Sequence, residues 1–219
     1  MKLALFDLDE TLIQGDCATL WAEYMVKHGW VKDTQAFLAK EEKLMLDYAN
    51  GGMDIYDYMS LTLEPLAGMT ETVVSNQVSE FVKEVILPIV YPEAKSRLQH
   101  HREQGDRLVI ISASGAHLVA PIAQALGIDE CLAIDVEISE GRYTGKTIGT
   151  PTFREGKVTR LLELIEQEHG QLDQASFYSD SRNDLPLLKL VGNPFVINPD
   201  AHLQDHANEN GWPVLRWGQ

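Results

Sequence analysis

Two aspartates stand two positions apart at the end of the first apolar run of the chain. Asp7 and Asp9 follow the segment Leu3-Ala4-Leu5-Phe6, and Thr11 comes two positions later. This pattern fits one aspartate that attacks an electrophile, a second that transfers a proton, and a bound divalent cation. For this segment alone, the alternative is a buried strand followed by a solvated acidic turn, so the rest of the chain must distinguish the two readings.

Further polar residues occur at the ends of other predicted elements. Ser112 follows a predicted strand, Lys157 begins a predicted helix, and the loop 180–184 follows another predicted strand. Ligands of parallel α/β sheets bind beyond the carboxyl ends of the strands. We therefore expect these residues to meet the first two aspartates at one edge of a sheet.

Together these side chains form a set that suits a phosphate ester and a metal ion. Asp7 and Asp180 offer the hard oxygen ligands that Mg²⁺ prefers, and Asp184 can hold a metal-bound water. Ser112 could hold phosphate oxygens, and Lys157 could neutralise phosphate charge. Taken singly, the serine could instead cap a helix and the lysine could face solvent.

The apolar pattern predicts the elements that must position these residues. From Tyr91 onward, strands alternate with helices, which is typical of right-handed βαβ units. We predict an α/β fold, a Rossmann-like doubly wound parallel sheet, with a hairpin turn at 140–145. The predicted strands are 3–6, 107–112, 132–138, 175–178, 195–197 and an edge strand at 212–217, and the predicted helices are 92–105, 117–126, 157–169 and 185–191.

Residues 12–88 have a different pattern, with helical stripes and no convincing strand. Trp21, Tyr24, Met25 and His28 form one such stripe. We expect a helical cap of residues 14–88, inserted after the first strand. Residues 1–13 and 89–219 would then form the catalytic core.

Charge and composition exclude several classes of partner. The 219 residues carry a formal net charge of −15, which would repel nucleic acids and anionic membranes. The two cysteines have no zinc or disulfide spacing, so we expect free thiols and a cytoplasmic location. The chain has no apolar stretch long enough to span a membrane, and its early aspartates argue against a signal peptide. The expected partner is a small-molecule phosphate ester, and the chain could be a monomer or a homodimer.

In this order, the motifs resemble those of the haloacid dehalogenase superfamily of phosphatases. Asp7 to Thr11 resembles motif I, Ile110 to Ser112 resembles motif II, Lys157 stands for motif III, and Tyr178 to Asp184 resembles motif IV. The first and last motifs are specific, whereas the middle two are weak by themselves. The helical insertion resembles the phosphoserine-phosphatase-like branch with a type-1 cap.

The resemblance implies a Mg²⁺-dependent mechanism with an aspartyl-phosphate intermediate. Asp7 would attack phosphorus, and Asp9 would protonate the leaving alkoxide and then activate water. Keeping Asp9 protonated near pH 7 costs about 4 kcal/mol, because a free aspartate has a pKa of about 3.9. The metal would be held by Asp7, Asp180, the backbone carbonyl of Asp9 and, through water, Asp184.

The resemblance also implies the residues that hold phosphate. Thr11, Ser112 and Lys157 would do so, with Ser181 and Asn183 supporting motif IV. Ser114 is a competing choice for the hydroxyl of motif II, and Ser112 is preferred because it stands at the predicted strand end.

Substrate choice should depend on the cap. In phosphoserine phosphatases an acidic residue shortly after motif I holds the substrate ammonium, and Asp16 lies at that place. A cap arginine for the substrate carboxylate has no candidate, because residues 44–82 contain no lysine or arginine. The cap acids and tyrosines predict a pocket for a cationic, aromatic group, or else are only exposed and packed helix faces. The expected specificity residues are Asp16, Asp47, Tyr48, Asp54 and Asp57.

L-histidinol phosphate fits this description best, and histidinol-phosphate phosphatases occur in the branch that the chain resembles. Phosphoserine is the alternative if a basic group comes from Arg154, Arg182 or elsewhere. Phosphoethanolamine is a third candidate. A non-catalytic phosphate-binding or scaffold relative is the alternative of another class, and the intact set of motif residues argues against it.

Overall fold

A six-stranded sheet forms the centre of the protein, with the strand order β3-β2-β1-β6-β7-β8. The computed structural model describes residues 2–166 and 169–218. All five strand pairings in this sheet are parallel, which confirms the predicted doubly wound α/β fold. The strands are β1 (Leu3–Phe6), β2 (Arg107–Gly115), β3 (Glu130–Ile134), β6 (Ser176–Ser179), β7 (Asn193–Ile197) and β8 (Val214–Leu215).

The first strand has a special place in this order. Leu5 pairs with Val109 of β2 on one side and with Phe177 of β6 on the other. The chain therefore builds the sheet outward in both directions from β1. Such a switch in direction leaves a crevice beyond the carboxyl ends of the strands, where α/β proteins bind ligands.

Four α-helices lie within the predicted helical insertion after β1: α1 (Cys17–Lys27), α2 (Thr34–Ala49), α3 (Ile55–Leu63) and α4 (Glu71–Phe81). The sequence places a capping residue before each one. The side chains that accept from the first helical turns belong to Asp16, Asp33, Asp54 and Thr70. The boundary between a cap of 14–88 and a core of 1–13 and 89–219 stays a prediction.

The remaining helices cover the sheet or its edges. They are α5 (Pro92–Glu103), α6 (Ala116–Ala125), α7 (Glu155–Leu164), α8 (Leu185–Leu188) and α9 (Ala201–Asn210). No helix in the described ranges is long and apolar enough to cross a membrane.

The two faces of the sheet belong to different apolar clusters. Leu5 and Phe177 join the cluster that contains Leu161 of α7 and Leu203 of α9. Phe6 points to the opposite face, because side chains alternate along a strand. It joins a cluster that continues into the helical insertion, including Trp21, Met25 and Phe81. The insertion and the sheet thus share one apolar core.

Two strand predictions need correction. The second strand continues past Ser112 to Gly115. The predicted strand 132–138 divides at Asp135, where the chain leaves the sheet and forms the separate antiparallel hairpin of β4 (Val136–Ser139) and β5 (Arg142–Thr147). The predicted hairpin turn is confirmed: Glu140 and Gly141 both have positive φ, 50° and 71°, as a type I′ turn requires.

Two helix predictions were too long. The helix predicted at 157–169 ends at Leu164, and Glu166 has a left-handed φ of 50° that cannot continue it. Residues 167–168 lie outside the described residues, and His169 belongs to a 3₁₀ segment, His169–Gln174. The helix predicted at 185–191 ends at Leu188.

The predicted edge strand 212–217 is also shorter in the structure, where it is confined to Val214–Leu215.

Candidate active site

The carboxylates of the first and last motifs meet at the carboxyl edge of the sheet. Asp7 follows β1 directly and Asp180 follows β6 directly. The backbone N–H of Asp7 donates to the carbonyl of Tyr178 at 2.9 Å. The parallel pairing of these two neighbouring strands therefore brings together residues that are far apart in the sequence.

Lys157 lies between two of these carboxylates and is almost fully buried. Its Nζ is 2.9 Å from Oδ1 of Asp7 and 2.7 Å from Oδ2 of Asp184. Ser179 donates to the same oxygen of Asp184 at 2.7 Å. Burial disfavours the ammonium, but the two carboxylates outweigh it and raise the pKa of Lys157. Burial raises the pKa of Asp7 to about 6, although Lys157 acts in the opposite direction.

Asp9 turns away from the lysine toward the helical insertion. Its Oδ1 accepts from the backbone N–H of Cys17 at 2.6 Å, and its Oδ2 accepts from the hydroxyl of Ser114 at 2.9 Å. Burial, and then the charges of Asp16 and Asp7, raise the pKa of Asp9 to about 8. Near neutral pH Asp9 therefore favours its protonated form.

Thr11 has a different place from the one expected. It is fully buried, and its hydroxyl accepts from the backbone N–H of Asp180 and donates to Oδ1 of Asp180, both at 3.0 Å. One hydroxyl has one proton to donate, and that proton is used here. Thr11 thus contacts Asp180 in this structure, and its role in holding phosphate stays a prediction.

Both candidate hydroxyls of the second motif point toward Asp9. Ser112 lies 3.4 Å from Oδ2 of Asp9 and accepts from the backbone N–H of Ser114 at 3.1 Å. The reason for preferring Ser112 was wrong, because β2 does not end there. Ser114 lines the cavity described below, together with Ala113.

The carboxylates fit a magnesium ion by their chemistry. Burial and the neighbouring charge of Asp7 raise the pKa of Asp180 well above its usual range, so a cation between the two would relieve their repulsion. Within residues 2–166 and 169–218, no three His, Cys, Asp or Glu side chains converge closely enough to form an ion site by themselves. Mg²⁺ typically takes few protein carboxylates and completes its shell with water and substrate phosphate.

A cavity of about 220 Å³ opens at these carboxylates. One part is acidic, and the other is formed by apolar and aromatic side chains of the helical insertion. Among the described residues that line it, none is a lysine or an arginine. The acidic residues are Asp7, Asp9, Glu10, Asp16 and Asp180, and the residues of the other part include Met45, Tyr48, Met53, Ile55 and Tyr58.

Two of the five predicted specificity residues reach this cavity. Asp16 lines it and also caps α1, accepting from the backbone N–H of Thr19 at 2.8 Å. Burial raises the pKa of Asp16. Tyr48 lines it as well, and its hydroxyl is 3.1 Å from Oγ of Ser181.

The other three predicted specificity residues do not line the cavity. Asp54 is exposed and caps α3 through the backbone N–H of Tyr56 at 2.8 Å. Asp57 is exposed in the first turn of the same helix, and Asp47 is half-buried on α2 outside the cavity lining. The structure thus supports the alternative interpretation for these acids, namely that they form the outer face of the helices.

The two arginines considered as carboxylate partners hold a loop instead. Arg154 donates to Oδ1 of Asn183 at 3.2 Å and to the carbonyl of Gly51. Arg182 donates to the carbonyl of Asn50 at 3.1 Å. Neither arginine lines the cavity.

Glu41 is a buried acid that our reasoning missed. It is only 5% exposed, and its Oε1 accepts from the hydroxyl of Thr19 at 2.6 Å. The sequence contains a signal for this burial, because Glu41 falls on the apolar stripe of α2, four residues after Phe37 and seven before Tyr48.

Glu10 is a second acid that our reasoning missed. It lines the cavity, and its φ of 53° lies in the left-handed region. No residue pattern in the sequence predicts this conformation.

Comparisons with known proteins agree with this site. The family model of haloacid dehalogenase-like hydrolases matches residues 4–189. A histidinol-phosphatase of Neisseria meningitidis serogroup C (strain 8013) is 40% identical over 220 residues, which cover 99% of this chain and 99% of that protein.

Solved structures show the same fold. The crystal structure of a protein of unknown function from Bordetella pertussis Tohama I has a TM-score of 0.89 at 35% identity, covering 98% of this chain and 97% of that one. A phospho-aspartyl intermediate analogue of phosphoserine phosphatase has a TM-score of 0.69 at 19% identity, covering 93% and 90%. The resemblance noted in the sequence is confirmed: the chain belongs to the haloacid dehalogenase-like hydrolases, and it is a phosphatase of that family.

Proposed function

We propose that this phosphatase is a Mg²⁺-dependent phosphomonoesterase that hydrolyses L-histidinol phosphate through an aspartyl-phosphate intermediate. One observation carries the substrate assignment. The cavity beside Asp7 combines buried carboxylates with an apolar, aromatic wall, and its described lining contains no lysine or arginine. Such a cavity suits an ester that bears an ammonium group and an aromatic ring.

The first half of the reaction uses the two aspartates of motif I. A carboxylate oxygen of Asp7 attacks phosphorus, and the bond from phosphorus to the alcohol oxygen breaks. Asp9 gives its proton to the departing alkoxide, which leaves as the alcohol. The raised pKa of Asp9 keeps that proton available at neutral pH.

The second half returns the enzyme to its starting state. The ionised Asp9 takes a proton from water, the resulting hydroxide oxygen attacks phosphorus, and the bond to Asp7 breaks. Asp9 is protonated again, and phosphate leaves. The likeness to the phospho-aspartyl analogue of phosphoserine phosphatase supports this intermediate.

The remaining motif residues supply charge and orientation. Lys157 holds the nucleophile in place by its contact with Asp7. Asp7, Asp180 and the backbone carbonyl of Asp9 would hold Mg²⁺, with Asp184 acting through water. The ion would supply positive charge next to the phosphate oxygens. Ser112 or Ser114 would donate to those oxygens.

The rest of the substrate would extend into the helical insertion. Asp16 would pair with the ammonium next to the phosphate-bearing carbon, and the imidazole would pack among Met45, Met53 and Ile55 near Tyr48. The similarity to a histidinol-phosphatase along nearly the whole chain supports this choice.

Other substrates fit less well. The α-carboxylate of phosphoserine would find no basic partner in the described lining, because Arg154 and Arg182 hold the loop at Asn50 and Gly51. Phosphoethanolamine would leave the apolar wall unfilled. A non-catalytic binder would not need the nucleophile together with an acid of raised pKa.

The test is phosphate release, with Mg²⁺, from L-histidinol phosphate, L-phosphoserine and phosphoethanolamine. We expect L-histidinol phosphate to exceed the others at least about tenfold in kcat/KM, which corresponds to about 1.4 kcal/mol. Asp7→Asn should abolish turnover, whereas the matched variant Asp57→Asn on the exposed face should retain it. A preference for phosphoserine would overturn the substrate assignment, and full activity of Asp7→Asn would overturn the mechanism. The cytoplasmic location and the monomeric or homodimeric state stay predictions.

A further inference from the structure

Asp16 and Tyr58 line the acidic part of the cavity, and Glu41 lies outside this lining but is connected to Asp16. Thr19 links the two acids: its backbone N–H donates to Oδ1 of Asp16 at 2.8 Å, and its hydroxyl donates to Oε1 of Glu41 at 2.6 Å. Asp16 caps α1, Glu41 belongs to α2, and Tyr58 belongs to α3. The position of one acid therefore depends on the other.

Tyr58 lines the cavity and is only 4% exposed. Within the described ranges its hydroxyl forms no hydrogen bond, although the carboxylates of Asp16 and Glu41 are the charges that act on it most strongly. Burial, and then these two carboxylates, raise its pKa far above the usual value, so Tyr58 keeps its proton. Tyr58 lines the cavity, so a ligand bound there can hydrogen-bond to this hydroxyl.

The charge around this hydroxyl is uncompensated. Burial raises the pKa of both Asp16 and Glu41, and the charge of Asp16 adds to the effect on Glu41. No lysine or arginine lies among the described residues that line the cavity. A ligand that brings one positive charge would balance the charge of the acids, and its N–H groups could donate to the Tyr58 hydroxyl.

We propose that Tyr58 and Glu41 complete, with Asp16, a subsite that selects phosphate esters bearing an ammonium group. The ammonium donates to the carboxylate of Asp16 and to the hydroxyl oxygen of Tyr58. Glu41 does not line the cavity, so it is a positioning residue that acts on Asp16 through Thr19. This inference rests on the proposed phosphomonoesterase function and adds two specificity residues to it.

The subsite should discriminate by the ammonium group itself. A site built to hydrogen-bond a polar group rejects the analogue that lacks it, because the polar groups of the site are then left unpaired. A carboxylate placed at the same position would be repelled by Asp16 and Glu41. The subsite therefore favours amino-alcohol phosphates over both plain alkyl phosphates and acidic esters.

The experiment compares phosphoethanolamine with ethyl phosphate, a pair that differs by the ammonium group. The quantity measured is the ratio of the two kcat/KM values in the presence of Mg²⁺. We expect Tyr58→Phe to lower this ratio about tenfold or more, mainly through the KM of phosphoethanolamine. Glu41→Gln should lower it about threefold or more, again through KM, because a neutral amide oxygen accepts from the Thr19 hydroxyl more weakly than a carboxylate does, and Thr19 then holds Asp16 less firmly.

Matched controls lie next to both residues. Tyr56, two positions before Tyr58 on the same helix, is 58% exposed, and Glu42 beside Glu41 is exposed. The variants Tyr56→Phe and Glu42→Gln should keep the wild-type ratio. The inference is wrong if Tyr58→Phe and Glu41→Gln behave like these controls, or if the wild-type enzyme does not prefer phosphoethanolamine to ethyl phosphate.

This outcome is separable from the proposed substrate. If the ratio falls in both variants but L-histidinol phosphate is not the best ester, the ammonium subsite stands and the substrate assignment fails. If L-histidinol phosphate is the best ester but the ratio is unchanged in both variants, the substrate assignment stands and this inference fails. Tyr58→Phe removes a single oxygen atom, and Glu41→Gln provides a second test at a residue outside the cavity.

Discussion

The ammonium of Lys157 lies 2.9 Å from Oδ1 of Asp7, and both side chains are almost fully buried. The same ammonium pairs with Asp184 at 2.7 Å. Lys157 is therefore the positive charge on which two buried carboxylates depend. It can fulfil two tasks, holding the nucleophile in position and reducing the repulsion between Asp7 and Asp184.

We expect Lys157→Met to destabilise the metal-free protein by about 3 to 5 kcal/mol, because removal of one partner leaves buried charge unpaired. Mg²⁺ should restore part of this loss, since it binds the same carboxylates in the folded state only. The measurement is the denaturant midpoint with EDTA and with Mg²⁺. The exposed Lys189 provides the control, Lys189→Met, which should change neither value. Equal loss with and without Mg²⁺ would contradict the assignment of the metal to these carboxylates.

The pKa values of the two motif I aspartates predict a bell-shaped pH dependence. Asp9 must be protonated to act as the acid, so hydrolysis of an alkyl phosphate should decline as the pH rises above about 8. Asp7 must be ionised to attack, so the rate should also decline as the pH falls below about 6. Binding of Mg²⁺ beside Asp7 favours the ionised carboxylate, so the acid limb should move to lower pH as the Mg²⁺ concentration rises.

Initial rates from pH 5 to 9, at several Mg²⁺ concentrations, test this dependence. Asp9→Asn should lower the alkyl phosphate rate by about 10²- to 10⁴-fold and remove the alkaline limb. An aryl phosphate should suffer less, since its leaving group needs no proton. An alkaline limb that survives in Asp9→Asn would assign it to another group.

Ser112 and Ser114 can be separated by substitution. Ser114 donates to Asp9 at 2.9 Å and lines the cavity, whereas Ser112 lies 3.4 Å from the same oxygen and does not line the cavity. If Ser112 holds the phosphate, as the motif implies, Ser112→Ala should raise the KM for every ester by about tenfold. Ser114→Ala should instead alter the alkaline limb, because it removes a hydrogen bond to the acid. Steady-state kinetics with an alkyl and an aryl phosphate distinguish these outcomes, and the reverse pattern would make Ser114 the phosphate ligand.

The meeting of the motif residues could be predicted because it depends on topology. Asp7 and Asp180 directly follow neighbouring parallel strands, and such ends share one edge of a sheet. The apolar runs were enough to locate those strands to within a few residues. The position of Lys157 at the start of α7 brought it to the same edge.

The roles of single side chains could not be predicted in the same way, because they depend on side-chain direction and on competing hydrogen bonds. Thr11 uses its hydroxyl on Asp180, which no residue pattern specifies. Asp54 stands before an apolar helical stripe, the ordinary position of an N-cap, and that signal deserved more weight than its charge. Glu41 differs from Asp54, because it lies within an apolar helical stripe. An acid at such a position is expected to be buried and to need a hydrogen-bond partner, which for Glu41 is Thr19.

The loop at Asn50 and Gly51 is held against the sheet edge by two arginines. Arg154 donates to the carbonyl of Gly51, and Arg182 donates to that of Asn50 at 3.1 Å. The chain continues from this loop to Met53, which forms part of the cavity wall. Contacts of the loop should therefore influence how well the wall closes on a substrate.

We expect Arg154→Met to raise the KM for L-histidinol phosphate about three- to tenfold. Hydrogen bonds from charged groups contribute about 1.5 to 3 kcal/mol, and only part of that loss should reach substrate binding, because the loop contacts the substrate indirectly. Arg182→Met should act in the same direction. Because both arginines hold the same short loop, the double variant should lose less than the sum of the two single losses. Arg216→Met, at an exposed arginine that forms no hydrogen bond to this loop, is the control. Limited proteolysis near 50–52 provides a second measurement, with faster cleavage expected in both loop variants. Strict additivity would mean that the two contacts act independently of each other. Unchanged cleavage together with an unchanged KM would mean that they do not hold the wall, because the carbonyls of Asn50 and Gly51 then exchange the arginines for water without effect on the site.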